Sequence, residues 1–193
     1  MSPRRLQVAV AAGALLLTGC TGPGTTPPPP GPDADASAGT LQACPDQTGE
    51  DAVGTPVLPA LAFDCPGGGT LDLSRAPGVP TVVNLWGSWC PPCREELPLF
   101  QELVDSAGAQ VRVVGVISKD GQPQAESFAA DAGVTFPSAF DGEGELMAGL
   151  GINVLPYTYF LDARGALTYT QVGPVTSVEE LRGLVAEHLG VRL

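Results

Sequence analysis

The residues Thr81-Val82-Val83-Asn84-Leu85-Trp86-Gly87-Ser88-Trp89-Cys90-Pro91-Pro92-Cys93 read as a short apolar strand running into a C-x-x-C turn and then a helix. Thr81–Trp86 carries no charge and is the kind of run that is buried in a central strand. A helix is predicted from about Pro92 to Ser106, stopped by Gly108. Two intervening residues bring the Cys90 and Cys93 sulfurs within disulfide reach across the first helical turn, the pattern of a redox centre. The positive end of the helix dipole favours thiolate at Cys90, the exposed, N-terminal cysteine of the pair. Cys90 is the predicted attacking sulfur, and Cys93 the partly buried one that resolves a mixed disulfide. Pro91 and Pro92 have no N–H, so part of the amide cradle for a Cys90 thiolate is missing. That argues against an extremely acidic thiol and a very strong oxidant, and leaves the direction of electron flow open.

Outward from this stretch, residues 44–193 alternate β-rich and helical runs, which indicates an α/β sheet domain. Leu58–Phe63 and Thr70–Leu73 read as a first hairpin around Pro66-Gly67-Gly68-Gly69. Val111–Ile117 is the next buried strand. A helix follows near Gln124–Ala132, then an extended piece at Phe136–Phe140 and a helix near Gly144–Leu150. Tyr157–Leu161 and Ala166–Val172 form a closing hairpin around Asp162-Ala163-Arg164-Gly165, and Ser177 caps a last helix to about Leu189.

Other uses of the cysteine pair fit less well. A structural zinc site needs four ligands, and the other cysteines form no second C-x-x-C. A copper site calls for a nearby histidine or methionine, yet the single histidine, His188, lies in the last helix. No metal and no bound organic cofactor are expected.

The stretch Val82–Pro98, VVNLWGSWCPPCREELP, resembles the membrane-anchored thioredoxin-like proteins called TlpA-like, ResA-like or DsbE-like, which serve envelope thiol chemistry including cytochrome c maturation. The resemblance covers most of residues 56–189. It implies a thioredoxin-like α/β fold with an N-terminal β-hairpin and a central αβ insertion, the latter at Gly133-Val134-Thr135-Phe136-Pro137 with Asp141. The peroxidatic Thr-x-x-Cys of peroxiredoxins is not what stands here. Gly151–Pro156 followed by Tyr157–Asp162 matches the family's cis-proline segment, so Pro156 would be the cis-proline facing the redox pair, where a substrate strand can pair with the backbone. Leu155 takes the place of the Thr or other small β-branched residue usual before that proline. Glu96, three residues after Cys93 on the same helical face, corresponds to a buried glutamate that modulates thiol protonation in the resembling reductases. Asn84 holds the position where thioredoxins use an aspartate. The alternative for Glu96 is an exposed glutamate of the first turns. Glu95 is expected in solvent, Trp89 on the surface around Cys90, Trp86 in the core, and Pro98 as a kink in the helix.

The first twenty residues have the order of an export signal: Arg4 and Arg5, an apolar run Val8–Leu17, then small residues ending at Cys20. Leu17-Thr18-Gly19-Cys20 resembles a lipobox, which makes residues 1–19 a lipoprotein signal peptide and Cys20 the lipidated N-terminus. Residues 20–43 then form a Pro/Gly-rich tether that could reach on the order of 25 to 70 Å. A chain starting at Cys20 carries 7 basic against 21 acidic side chains. Nucleic acid is excluded as a partner for want of a basic patch, and anionic lipid headgroups offer no attraction, so membrane attachment falls to the lipid anchor. With Cys20 lipidated and Cys90 paired with Cys93, Cys44 and Cys65 remain as a structural disulfide in an oxidising space, a second redox relay being the alternative.

Together these expectations describe a thiol–disulfide oxidoreductase, lipid-anchored at the extracytoplasmic side of the cell membrane. It would act on protein thiols and disulfides and exchange electrons with a membrane redox partner. Reduction is the favoured direction. A disulfide-forming oxidase using the same residues, and a redox-inactive metallochaperone or adaptor, are the alternatives.

Overall fold

Thr81–Trp86, without a charge, forms β3, the middle strand of a five-stranded sheet and buried at every position. The structure is a computed structural model, and it describes residues 41–193. In chain order its elements are β1 (Ala62–Asp64), β2 (Thr70–Asp72), β3 (Thr81–Trp86), α1 (Pro91–Ala107), β4 (Arg112–Ser118), α2 (Gln122–Asp131), β5 (Ser138–Asp141), α3 (Glu145–Leu150), β6 (Tyr157–Leu161), β7 (Leu167–Val172) and α4 (Val178–Leu189). The large sheet runs β5-β4-β3-β6-β7, with β3, β4 and β5 parallel and β6 and β7 antiparallel to their neighbours. The β1-β2 hairpin stands apart from it. This is the thioredoxin-like fold, with an N-terminal hairpin and with α2 and β5 as the central insertion.

Strand alternation sorts the core into two layers. Val82 and Trp86 of β3, Val113 and Ile117 of β4 and Phe160 of β6 share one layer with the apolar faces of α1, α2 and α4. Val83, Leu85, Val114, Val116 and Tyr159 pack on the other side with α3 and the hairpin. Asn84 stands between Val82 and Trp86 in the alternation, so it belongs to the α1 side. The fold therefore places a polar residue in the centre of the sheet beneath the helix that carries both redox cysteines.

Elements differ from their sequence reading mainly at their ends. β1 begins at Ala62 rather than Leu58 because Pro59 starts a turn, its carbonyl accepting from Leu61 N–H at 2.9 Å. α1 begins one residue earlier, at Pro91, since proline suits the first helical position. Pro98 lies inside α1, and its missing N–H leaves the Arg94 carbonyl without its helical donor. Leu41, ahead of Cys44, is buried in the α1-side layer, and Gln42 N–H donates to Thr135 O at 2.9 Å, so the packed region includes the last residues of the stretch read as tether. The signal peptide, Cys20 and residues 20–40 lie outside the described residues.

Cys44 and Cys65 are joined, with Cα atoms 5.6 Å apart and 21 residues of separation. The bond ties the segment entering the domain to the end of β1. For a loop of this length the chain-entropy model gives about 3 kcal/mol of stabilisation. Urea unfolding of the Cys44→Ala/Cys65→Ala protein should show a loss of about that size, with a steeper transition slope because the unfolded chain is no longer held compact. An unchanged midpoint would deny the bond a structural role.

Candidate active site

β3 ends at Trp86, and the chain crosses Gly87, Ser88 and Trp89 before Cys90 caps α1. This short loop is held from both sides. Ser88 N–H donates to Asp120 Oδ2 at 2.5 Å, and the Trp89 indole lies so close over Gly87 that a Cβ there would come within 2.7 Å of Nε1. Only glycine fits beneath the ring. Trp89 is 50% exposed, a large apolar surface next to the cysteine pair, while Trp86 is fully buried.

Cys90 and Cys93 form a disulfide with Cα atoms 5.3 Å apart. Cys90 has extended backbone at the N-cap, and its Sγ accepts from Cys93 N–H at 3.3 Å. Because Pro91 and Pro92 carry no amide hydrogen, Cys93 supplies the first N–H of the helix that can reach this sulfur. Cys93 is wholly buried, beyond the partial burial expected. Cys90, predicted to be the exposed member, is only 2% exposed. Bonded to Cys93, its sulfur joins the α1-side core instead of facing solvent, and Leu155, bulkier than the usual residue there, packs against the same layer.

The Leu155–Pro156 peptide is cis. β3 and β6 pair antiparallel with Leu85 opposite Tyr157, so the register puts Pro156 beside the end of β3, where the chain leaves for Cys90. Pro156 is buried and its carbonyl accepts from Gly173 N–H at 3.1 Å, while Val154 next to it is 57% exposed.

Glu96 is fully buried, which removes the exposed alternative, and Glu95 is exposed. Glu96 Oε1 accepts from Asn84 Nδ2 at 2.8 Å and Glu96 Oε2 from Val175 N–H at 3.0 Å. Burial pushes the Glu96 carboxyl up from 4.5 to about 7 against the opposing pull of these two hydrogen bonds. Glu96 lies three residues beyond Cys93 on α1, with both carboxylate oxygens engaged by Asn84 and Val175. Asn84 Nδ2 also donates to Thr158 Oγ1 at 3.1 Å, and neither Thr158 nor the Val175 amide was legible as part of this cluster, since they join it only through sheet pairing and the loop before α4.

Arg94 lies over the Phe128 ring of α2, 4.8 Å from its centre. Together with Ser88, Gln124, Ser127 and Asp131 they line a cavity of about 360 Å³ on the flank of the cysteine pair. Among the described residues, no three His, Cys, Asp or Glu side chains cluster as a metal site would require.

The Redoxin family profile matches residues 52–185, a span holding the sheet, the cysteine pair and Pro156. The chain belongs to the Redoxin family. Among its Redoxin relatives, the sporulation thiol-disulfide oxidoreductase A of Bacillus subtilis is 37% identical over 109 residues, 54% of this chain and 66% of that protein. The thiol:disulfide interchange protein DsbE of Vibrio cholerae is 36% identical over 107 residues, 55% of this chain and 56% of that protein. The chain thus spans less than two thirds of the length of either. The crystal structure of StoA from Bacillus subtilis superposes with a TM-score of 0.56 at 32% identity, covering 65% of this chain and 96% of that one. The resemblance to DsbE-like proteins read from Val82–Pro98 agrees with these relatives.

Proposed function

We propose that this protein is a thiol–disulfide oxidoreductase that reduces protein disulfides through Cys90 and Cys93. The observation carrying the proposal is a C-x-x-C disulfide at a helix N-terminus with a buried acid poised near 7 three residues beyond it. The names of the relatives point the same way.

Starting from the dithiol, Cys90 thiolate attacks one sulfur of a substrate disulfide, forming a Cys90–substrate disulfide and expelling the other substrate sulfur as thiolate. Cys93 then gives its proton to Glu96 and attacks Cys90 Sγ. That step forms the Cys90–Cys93 bond and releases the second substrate thiolate, which takes up a proton. A membrane dithiol donor restores the pair by the reverse exchange. Trp89, Leu155 and Pro156 form the substrate surface, an extended substrate segment lying along the cis-proline backbone.

The reductase direction rests on the thin amide cradle. With Pro91 and Pro92 unable to donate, Cys90 thiolate gains less from the helix start than it would beside free amides, so the dithiol form is less favoured than in a strong oxidant. Insulin with a small dithiol as electron source provides the test: the protein should accelerate reduction of the insulin disulfides, and no acceleration would refute the proposal.

We place the domain outside the cytoplasm on a lipid carried by Cys20, as the lipobox-like Leu17–Cys20 indicates. No described helix is long and apolar enough to cross a membrane. Cys20→Ala should move the protein from the membrane fraction to the soluble fraction. Retention in the membrane would point to another anchor.

A further inference from the structure

Asn84, Glu96 and Thr158 meet in the interior, each fully buried. Asn84 and Thr158 are register partners across β3 and β6, and α1 brings Glu96 onto them. A single nitrogen serves both neighbours: Asn84 Nδ2 donates to Glu96 Oε1 at 2.8 Å and to Thr158 Oγ1 at 3.1 Å. On the other side of the same carboxamide, Oδ1 has no partner. Unpartnered buried oxygens are costly and uncommon, so this one needs a reason.

The arrangement suits an ionised Glu96, whose two oxygens both accept, one from Asn84 Nδ2 and one from Val175 N–H. A protonated Glu96 presents an O–H, and Asn84 Nδ2 cannot accept it. Half a turn about the Cβ–Cγ bond of Asn84 would put Oδ1 where Nδ2 now lies, facing Glu96. Thr158 can follow without moving, because its hydroxyl accepts in one arrangement and donates in the other. The turn breaks no contact at Oδ1, which has none to lose.

We propose that Asn84 is a proton-following positioning residue, whose carboxamide donates to ionised Glu96 and turns over to accept from protonated Glu96. The acid thereby stays hydrogen-bonded in one place whether or not it holds a proton. Its value for exchange, in which that proton comes from Cys93, rests on the proposed function. The turning itself does not.

Few other charges compete for the site. Cys90 and Cys93 of α1 are joined as the disulfide, and Arg94 and Glu95 are exposed. β3 has no ionisable side chain, and Tyr157 and Tyr159 of β6 face the opposite layer. Near the start of α4, Glu179 and Glu180 are exposed, Glu180 being bonded to Thr176. His188 of α4 stacks on Tyr169 of β7, with ring centres 3.8 Å apart.

Nuclear magnetic resonance on the oxidised Cys20→Ala chain tests the proposal. The Glu96 Cδ signal should titrate once, with a midpoint near 7. The Asn84 side-chain amide protons should titrate with the same midpoint, keeping their cross-peaks to Thr158 above it and losing them below it. Amide protons that keep the same contacts throughout the titration, or an absent Glu96 titration, would each overturn it. A wild-type protein that fails to reduce insulin would refute the proposed function and leave these signals unaffected, so the two failures are distinguishable.

Discussion

Cys90→Ser should abolish insulin-disulfide reduction, lowering the rate by on the order of 10³-fold or more, because it removes the sulfur assigned to form the mixed disulfide. The second described pair, Cys44–Cys65, is a closed bond distant in sequence and without a helix start to activate either sulfur. Cys93→Ser should behave differently. It leaves Cys90 able to attack and removes the group that resolves the product, so a covalent complex with substrate should accumulate and be released by dithiothreitol. Binding of a partner or ligand that is the protein's true activity and survives Cys90→Ser would point instead to a binding protein or metallochaperone. A substrate complex trapped by Cys90→Ser and not by Cys93→Ser would reverse the assigned order of the two cysteines.

The second large effect belongs to Glu96. Glu96→Gln keeps the shape and the burial but cannot take the Cys93 proton, and losses on removing such a group run to about 10² to 10⁴-fold. The step affected is resolution of the mixed disulfide, so its rate should rise with pH through about 7 in the wild type and lose that rise in the variant. Stability should change as well, and in a definite sense. The folded protein holds the Glu96 proton up to about 7 and the unfolded chain only to 4.5. The contribution is therefore fully present below 4.5 and lost as pH rises through 7, amounting to about 3 kcal/mol across that window. Equilibrium unfolding across that range should show the decline in the wild type and its absence in Glu96→Gln. A decline of equal size in both proteins would remove Glu96 as its source.

Most of the fold was legible because its strands and caps carry strong local signals. Tyr157–Leu161 is rich in aromatic residues and bounded by Pro156 and a turn, and its ends agree with the sequence reading. Ser177 caps α4 as expected, its hydroxyl accepting from Glu180 N–H at 3.1 Å. The first hairpin was less legible, since Pro59 turns the chain within an apolar run that would otherwise read as strand. Within the candidate site, Cys90 and Cys93 follow from a motif and its spacing, and Pro156 and Glu96 from the resemblance to DsbE-like proteins. Thr158, the Val175 amide, Asp120 and Phe128 do not, because each reaches the site through tertiary pairing that leaves no periodic trace. The closure of Cys90 was illegible for the same reason: exposure at a helix N-cap depends on what packs around it.

The reduction potential of the Cys90–Cys93 couple tests the reductase assignment most directly. It should be measured against glutathione or dithiothreitol buffers on a soluble chain that starts ahead of Leu41, with Cys44–Cys65 left oxidised. A reductase with a thin amide cradle and a buried acid beside its resolving thiol predicts a value near or below about −250 mV, and a value above about −180 mV would contradict it in favour of a disulfide-forming oxidase.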